Sequence, residues 1–160
     1  MVDKVLSHID EEGKANMVDV SNKETTARIA VATANVIFPV AVYKHLQGQN
    51  FLGNKGSIFQ TAVIAGIQAA KKTSDLIPLC HPLALKKIDV DIQPNPNTNS
   101  LQISATVKCI GQTGVEMEAL TAASVAALTV YDMTKAISHD IIISDIKLKE
   151  KRGGKRDVSN

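Results

Sequence analysis

The stretch from Thr113 to His139, TGVEMEALTAASVAALTVYDMTKAISH, restricts the fold more than any other part of the chain. Ala119, Ala122, Ala123, Ala126, Ala127 and Ala136 are strong helix formers. Leu120, Leu128 and Tyr131 recur at helical spacing. Thr113 followed by Glu116 is a capping-box pattern. The spacing predicts one long helix with a charged entrance and a charged exit. A helix whose inner side is mostly methyl groups is useful only if another backbone packs close to it. Aromatic residues make up 3% of the sequence and Trp is absent, so the core must be aliphatic and alanine-rich.

The far end of this helix is polar. Asp132, Lys135 and His139 fall on one face. A solvated ion pair of small energetic value is the commoner reason for such spacing. The other reading is an acid/base pair on a rigid helix, with the lysine pKa lowered by partial burial. Glu118 lies on nearly the same face as Asp132 but roughly 21 Å away along the axis. The two meet at one reacting centre only if the ligand is long or a second subunit contributes.

Around this helix the chain alternates between strand and helix signals. Residues 1–16 read as a loosely ordered arm, and Met17–Val20 as a strand end. Thr25–Phe38 is rich in Ile, Val and Thr and predicts a strand. Pro39 starts a short helix to about Leu46, and Gly48, Gly53, Asn54 and Gly56 mark a loop carrying Lys55. Ser57–Thr73 predicts a helix with Phe59, Val63, Ile67 and Ala70 as its apolar stripe and Gly66 as a point of tight packing. Lys71 and Lys72 close it, either as partners of the helix dipole or as ligand contacts. Lys86–Gln93 alternates cleanly, Pro94–Asn97 turns, and Leu101–Cys109 returns. Ile141–Lys149 is the last strand, with a bulge at Ser144–Asp145. The order is β-α-β-β-α-β. It predicts an α+β ferredoxin-like domain over residues 1–160, an antiparallel sheet with helices packed on one face. The other sheet face must be polar or covered by a second subunit.

Pro82 restricts His81 to extended backbone, so its imidazole has a defined position. Cys80 beside it lacks the second ligand pair that a zinc site needs, and Cys80 and Cys109 read as reduced thiols. The net charge of +2 and the scarcity of aromatics speak against nucleic-acid binding, although the end of the chain is basic. From about residue 150 to 160, Lys151, Arg152, Lys155 and Arg156 flank Gly153–Gly154, a combination suited to closing over phosphates. There is no leader pattern and no apolar run of spanning length, so no membrane association and a cytoplasmic location are expected.

Five stretches taken together closely resemble the molybdenum cofactor biosynthesis protein C family, the cyclic pyranopterin monophosphate synthases. They are MVDVS at 17–21, AGIQAAKKT at 65–73, DLIPLCHPL at 75–83, TGVEMEALTAASVAALTVYDM at 113–133 and KRGGK at 151–155. The resemblance implies a lyase that converts 3′,8-cyclo-7,8-dihydroguanosine 5′-triphosphate to cyclic pyranopterin monophosphate and releases pyrophosphate. It also implies a homohexamer, a trimer of dimers with active sites between subunits, working with the radical enzyme that makes the substrate. No resident cofactor is implied, and magnesium is expected only with the substrate triphosphate. By motif, Asp132 and Lys135 correspond to the catalytic pair. Leu79, Cys80, His81, Glu116, Met117 and Glu118 correspond to substrate contacts. Arg28, Lys55 and Lys71 correspond to pocket cations, and Lys151 to the lysine of a mobile loop. Ser74 stands where relatives carry a bulky aromatic and Thr134 where some carry cysteine, and the chain ends early, in DVSN. Another nucleotide phosphate-transforming activity, or a non-catalytic nucleotide-binding module, is the alternative on the same scaffold.

Overall fold

A computed structural model describes residues 8, 9 and 12–160. Most of the N-terminal arm expected over residues 1–16 lies outside the described residues. Five strands form the main sheet: β1 Thr26–Ile37, β4 Leu85–Asn95, β5 Ser100–Gly111, β6 Ile142–Arg152 and β7 Val158–Ser159. Their order across the sheet is β4-β5-β1-β6-β7, antiparallel throughout. The helices are α1 Val40–Gly48, α2 Ile58–Lys71, α3 Thr73–Leu76 and α4 Glu116–Thr134. A two-stranded ribbon of β2 Leu52–Gly53 and β3 Gly56–Ser57 holds Lys55 in its turn. The α+β ferredoxin-like arrangement expected from the sequence is present, with the long strands in the order β4-β5-β1-β6.

The core follows from period-2 alternation. Ala30, Ala32, Ala34 and Val36 of β1 point to the helices, as do Leu101, Ile103, Ala105, Val107 and Cys109 of β5. Across from them α4 buries Ala119, Ala122, Ala123, Ala126, Ala127 and Val130. Small side chains on both layers bring helix and sheet close. The opposite sheet face shows Thr33, Asn35, Asp91, Gln93, Gln102 and Lys147, so it is largely polar.

Several expectations need correction. The long helix begins at Glu116 and ends at Thr134, so His139 is outside it and leaves the Asp132–Lys135 face. The capping box does not form: Val115 is the N-cap and no side chain caps it. Glu116 turns its carboxylate to Lys151 instead, at 2.8 Å. Leu128 is exposed, because the alanines take the core-facing side, while Leu120 is partly buried at its border. The buried residues of α2 are Ile58, Ala62, Gly66, Ala69 and Ala70, while Phe59, Val63 and Ile67 are only half-buried. The stripe is rotated because the close neighbour is α4, which admits small residues better than large ones. Met17–Val20 belongs to no strand. The β4–β5 turn lies at Pro96–Asn99, two residues later than expected.

The expected bulge is present. Register with β1 slips near Ser144–Asp145, Asp145 has φ 52°, and its carboxylate accepts hydrogen bonds from Asn35 and Ser144. The end of the chain is the β6–β7 hairpin, in which Gly153 takes φ 84°.

Candidate functional site

The candidate residues gather at the two ends of α4. At its N-terminal end a cavity of about 390 Å³ is lined by Leu79, Cys80 and His81 from the connection after α3 and by Glu116, Met117 and Glu118 from the first turn. The His81 ring nitrogen Nε2 lies 2.9 Å from the Val18 carbonyl. A carbonyl only accepts, so Nε2 carries a hydrogen and donates it, and Nδ1 is the ring nitrogen left facing the cavity side. Pro82 and this bond together fix the imidazole.

Glu118 is 4% exposed. Burial pushes its carboxyl up from the ordinary range; a backbone hydrogen bond opposes this and the charge of Glu116 adds to it. Burial also raises the thiols of Cys80 and Cys109, and the Glu118 charge adds to both. Thiols held neutral in this way are poor nucleophiles. Cys80 therefore shapes the wall of the cavity.

A second cavity of about 370 Å³ shares Lys23, Thr113, Gly114 and Glu116 with the first. Arg28, Lys151, Arg152 and Lys155, with the shared Lys23, supply its positive charge. Arg28 is held by the end of β5: Nε donates to the Gly111 carbonyl at 3.2 Å and Nη2 to the Gln112 carbonyl at 3.4 Å. The half-buried Lys151–Glu116 pair ties the β6–β7 hairpin to the start of α4. A β-carbon on Gly114 would meet the Glu116 carboxylate, so any larger residue there would make that flexible side chain shift.

The third cavity, about 330 Å³, lies at the other end of α4, where Asp132 and Lys135 face Lys55 and His45. Lys135 Nζ is 2.7 Å from Asp132 Oδ1, with both side chains about half exposed. The Lys135 hydrogen bond and charge hold the Asp132 carboxyl below its usual value, and Asp132 in turn holds the Lys135 ammonium above its own. The lowered lysine pKa considered from the sequence is not what this chain has. Lys135 is a cation and proton donor here, and Asp132 is an ionised acceptor.

The structure thus brings Arg28, Leu79, Cys80, His81, Glu116, Met117, Glu118 and Lys151 to one end of α4, and Lys55, Asp132 and Lys135 to the other. At 1.5 Å per residue α4 keeps Glu118 and Asp132 roughly 21 Å apart along its axis within one chain. Lys71 is exposed at the end of α2 and lines none of these three cavities. Sequence reasoning missed Lys23, Gln112 and His45 as wall residues. The MVDVS stretch just before Lys23 was the available signal, but an isolated lysine in a loop has no periodicity to mark it.

Among the described residues, no group of three or more His, Cys, Asp or Glu could hold a metal ion. No helix among them is long and apolar enough to cross a membrane. The sequence profile of the MoaC family matches residues 17–154, a span that includes every candidate residue from Arg28 to Lys151.

Proposed function

This chain belongs to the MoaC family, which serves molybdenum cofactor biosynthesis, and from that premise we propose that it is a cyclic pyranopterin monophosphate synthase. Its substrate in this reading is 3′,8-cyclo-7,8-dihydroguanosine 5′-triphosphate, and its products are cyclic pyranopterin monophosphate and pyrophosphate. The observation that carries the reading is the division of polar groups between the two ends of α4. A buried carboxyl, a fixed imidazole and a cationic cavity lie at one end. An Asp–Lys pair with a further lysine lies at the other.

The reaction needs both kinds of group. Rebuilding the guanine-derived ring as a pterin requires a proton donor and an acceptor near the ring, roles suited to Lys135 and Asp132, with Glu118 and His81 holding the heterocycle. Closing the cyclic phosphate requires a sugar hydroxyl to attack the α-phosphorus as the bond to the β-phosphate breaks. The hydroxyl proton leaves, and pyrophosphate takes away the negative charge. Arg28, Lys151 and Lys55 neutralise charge on the phosphoryl oxygens as it builds. Lys71 serves as a further cation only if a neighbouring subunit brings it to the site.

Because α4 separates the two groups within one chain, the complete site is assembled between subunits. One subunit supplies the Glu118 end and its neighbour the Asp132 end. A homohexamer built as a trimer of dimers, located in the cytoplasm and supplied by the radical enzyme that makes the substrate, fits this reading. Magnesium, where used, arrives with the triphosphate as part of the substrate.

The test is to incubate the purified protein with the cyclo-dihydro-GTP substrate and follow pyrophosphate and pterin product by mass spectrometry, alongside Asp132→Ala. Product from the wild type and none from the variant is expected. No product from an assembled wild-type oligomer would overturn the assignment and favour a nucleotide-binding module.

A further inference from the structure

Lys23 lines both cavities at the N-terminal end of α4, as well as a shallower one beside the Gly153–Gly154 turn. It lies on the connection before β1, outside any regular element, where an exposed lysine would ordinarily sample many positions. Here the backbone beneath it is fastened. Gln112 Nε2 donates to the Ser21 carbonyl at 3.1 Å and to the Lys23 carbonyl at 3.0 Å. Lys23 N donates to the Val20 carbonyl at 2.9 Å, closing a turn. Asp19 Oδ1 accepts from Ser21 N at 2.8 Å and secures the near side. The Gln112 backbone is itself gripped by Arg28. One amide thus links the end of β5, the Arg28 guanidinium and the turn bearing Lys23.

The charges explain what the link is for. Among the described residues, Glu116 is the one carboxylate in the wall of the second cavity, and Lys151 neutralises it. Lys23 and Lys155 make no ion pair with a described carboxylate. An excess of cations in a cavity of this size fits a polyphosphate anion. We propose that Lys23 is the cation shared by the two cavities, binding the phosphate chain of the ligand, and that Gln112 is the positioning residue that fixes the Lys23 turn. This rests on the phosphate-bearing substrate proposed above, but its test does not require turnover.

The full chain is titrated with inorganic triphosphate by calorimetry. Lys23→Ala should weaken binding about tenfold, the worth of one charge-assisted contact. Gln112→Ala should weaken it about three- to fivefold, and should add nothing when Lys23 is already alanine, since Gln112 acts only through Lys23. With substrate, Gln112→Ala should raise KM more than it lowers kcat.

Failure of wild type to bind triphosphate, or an unchanged Kd in Lys23→Ala, would overturn the proposal. So would a Gln112→Ala penalty of equal size with and without Lys23. The surface variant Lys23→Ala keeps the test decisive even if Gln112→Ala fails to fold. Triphosphate binding that depends on Lys23 in a protein that makes no pterin would leave this inference standing and remove only the reaction.

Discussion

Gly66 of α2 lies so near Ala122 of α4 that a β-carbon added to it would be 3.0 Å from the Ala122 carbonyl oxygen. The same carbon would be 3.2 Å from Val90 Cγ2 and 3.3 Å from Ala126 Cβ. An alanine in a helix interior gains about 1 kcal/mol over glycine, whereas overpacking costs about 1–3 kcal/mol. Two of the three neighbours belong to a packed helix and one is its backbone, so they have little room to retreat. Gly66→Ala is therefore expected to lose about 1 kcal/mol net, and Gly66→Val more. Denaturant midpoints at unchanged slope would measure it. A stabilised alanine variant would mean that the α2–α4 contact is looser than described.

Gly66 was legible in the sequence because a glycine inside a strong helix pattern signals a close neighbour. The strands were legible for a related reason: a period of two leaves one face apolar, and the sheet obeys it from Ile88 to Ile92 in β4 and from Leu101 to Cys109 in β5. The α2 stripe was not, because pattern reasoning places the largest apolar side chains inward. The helix pair instead selects the smallest, Ala62, Gly66 and Ala69. The end of α4 was overextended because Ala136 and Ile137 continue the composition of a helix after its hydrogen bonds have stopped. Asp132, Lys135 and His81 could be singled out from spacing and backbone restriction. Lys23 and Gln112 could not, since they meet only through a loop–strand contact about 90 residues apart in sequence.

Gly153 is the backbone hinge of the β6–β7 hairpin. Its φ of 84° is rarely open to other residues, and a β-carbon would overlap the Ala27 carbonyl oxygen. Thr26 donates to its carbonyl at 2.7 Å and its own N–H donates to Asp157. Gly153→Ala should cost about 1–3 kcal/mol of local strain, released by lifting the hairpin from β1. Amide exchange should accelerate at Val158 and Ser159 while the β4–β5 amides stay protected. Uniform acceleration throughout the sheet would contradict this local account.

Tyr43 is 1% exposed, its ring packed against Phe38 and Phe51 at centroid distances of 6.4 and 5.9 Å. Its hydroxyl has no hydrogen-bond partner among the described residues, and burial pushes the phenol above its ordinary value. An unpaired buried hydroxyl costs about 1–3 kcal/mol. Tyr43→Phe keeps the ring contacts and should raise stability by up to about 1 kcal/mol, after allowing for the smaller volume filled. Tyr43→Ala should lose about 3–5 kcal/mol through the cavity. A phenylalanine variant destabilised by more than 1 kcal/mol would show that the hydroxyl is bonded in solution.

Glu118 couples folding to pH with a definite sign. Burial raises its carboxyl in the folded chain, so the native state holds this proton more tightly than the unfolded chain does. Below the ordinary carboxylate range both states are protonated and Glu118 contributes no pH dependence. As pH rises through that range, the unfolded chain ionises first and native stability falls. The loss continues until pH passes the raised native value and is constant thereafter. Glutamine mimics the neutral acid in shape and as a donor. Glu118→Gln should therefore match the wild type in acid and exceed it at neutral pH, with the gap opening upward from the ordinary carboxylate range. Denaturant unfolding at a series of pH values reads this directly; a variant less stable than wild type at neutral pH, or a gap that stays constant, would contradict it. Activity separates binding from proton transfer at the same residue. If Glu118 only holds the heterocycle as a hydrogen-bond donor, the amide should leave KM and kcat nearly intact. If it gives up its proton during ring formation, kcat should fall while KM holds.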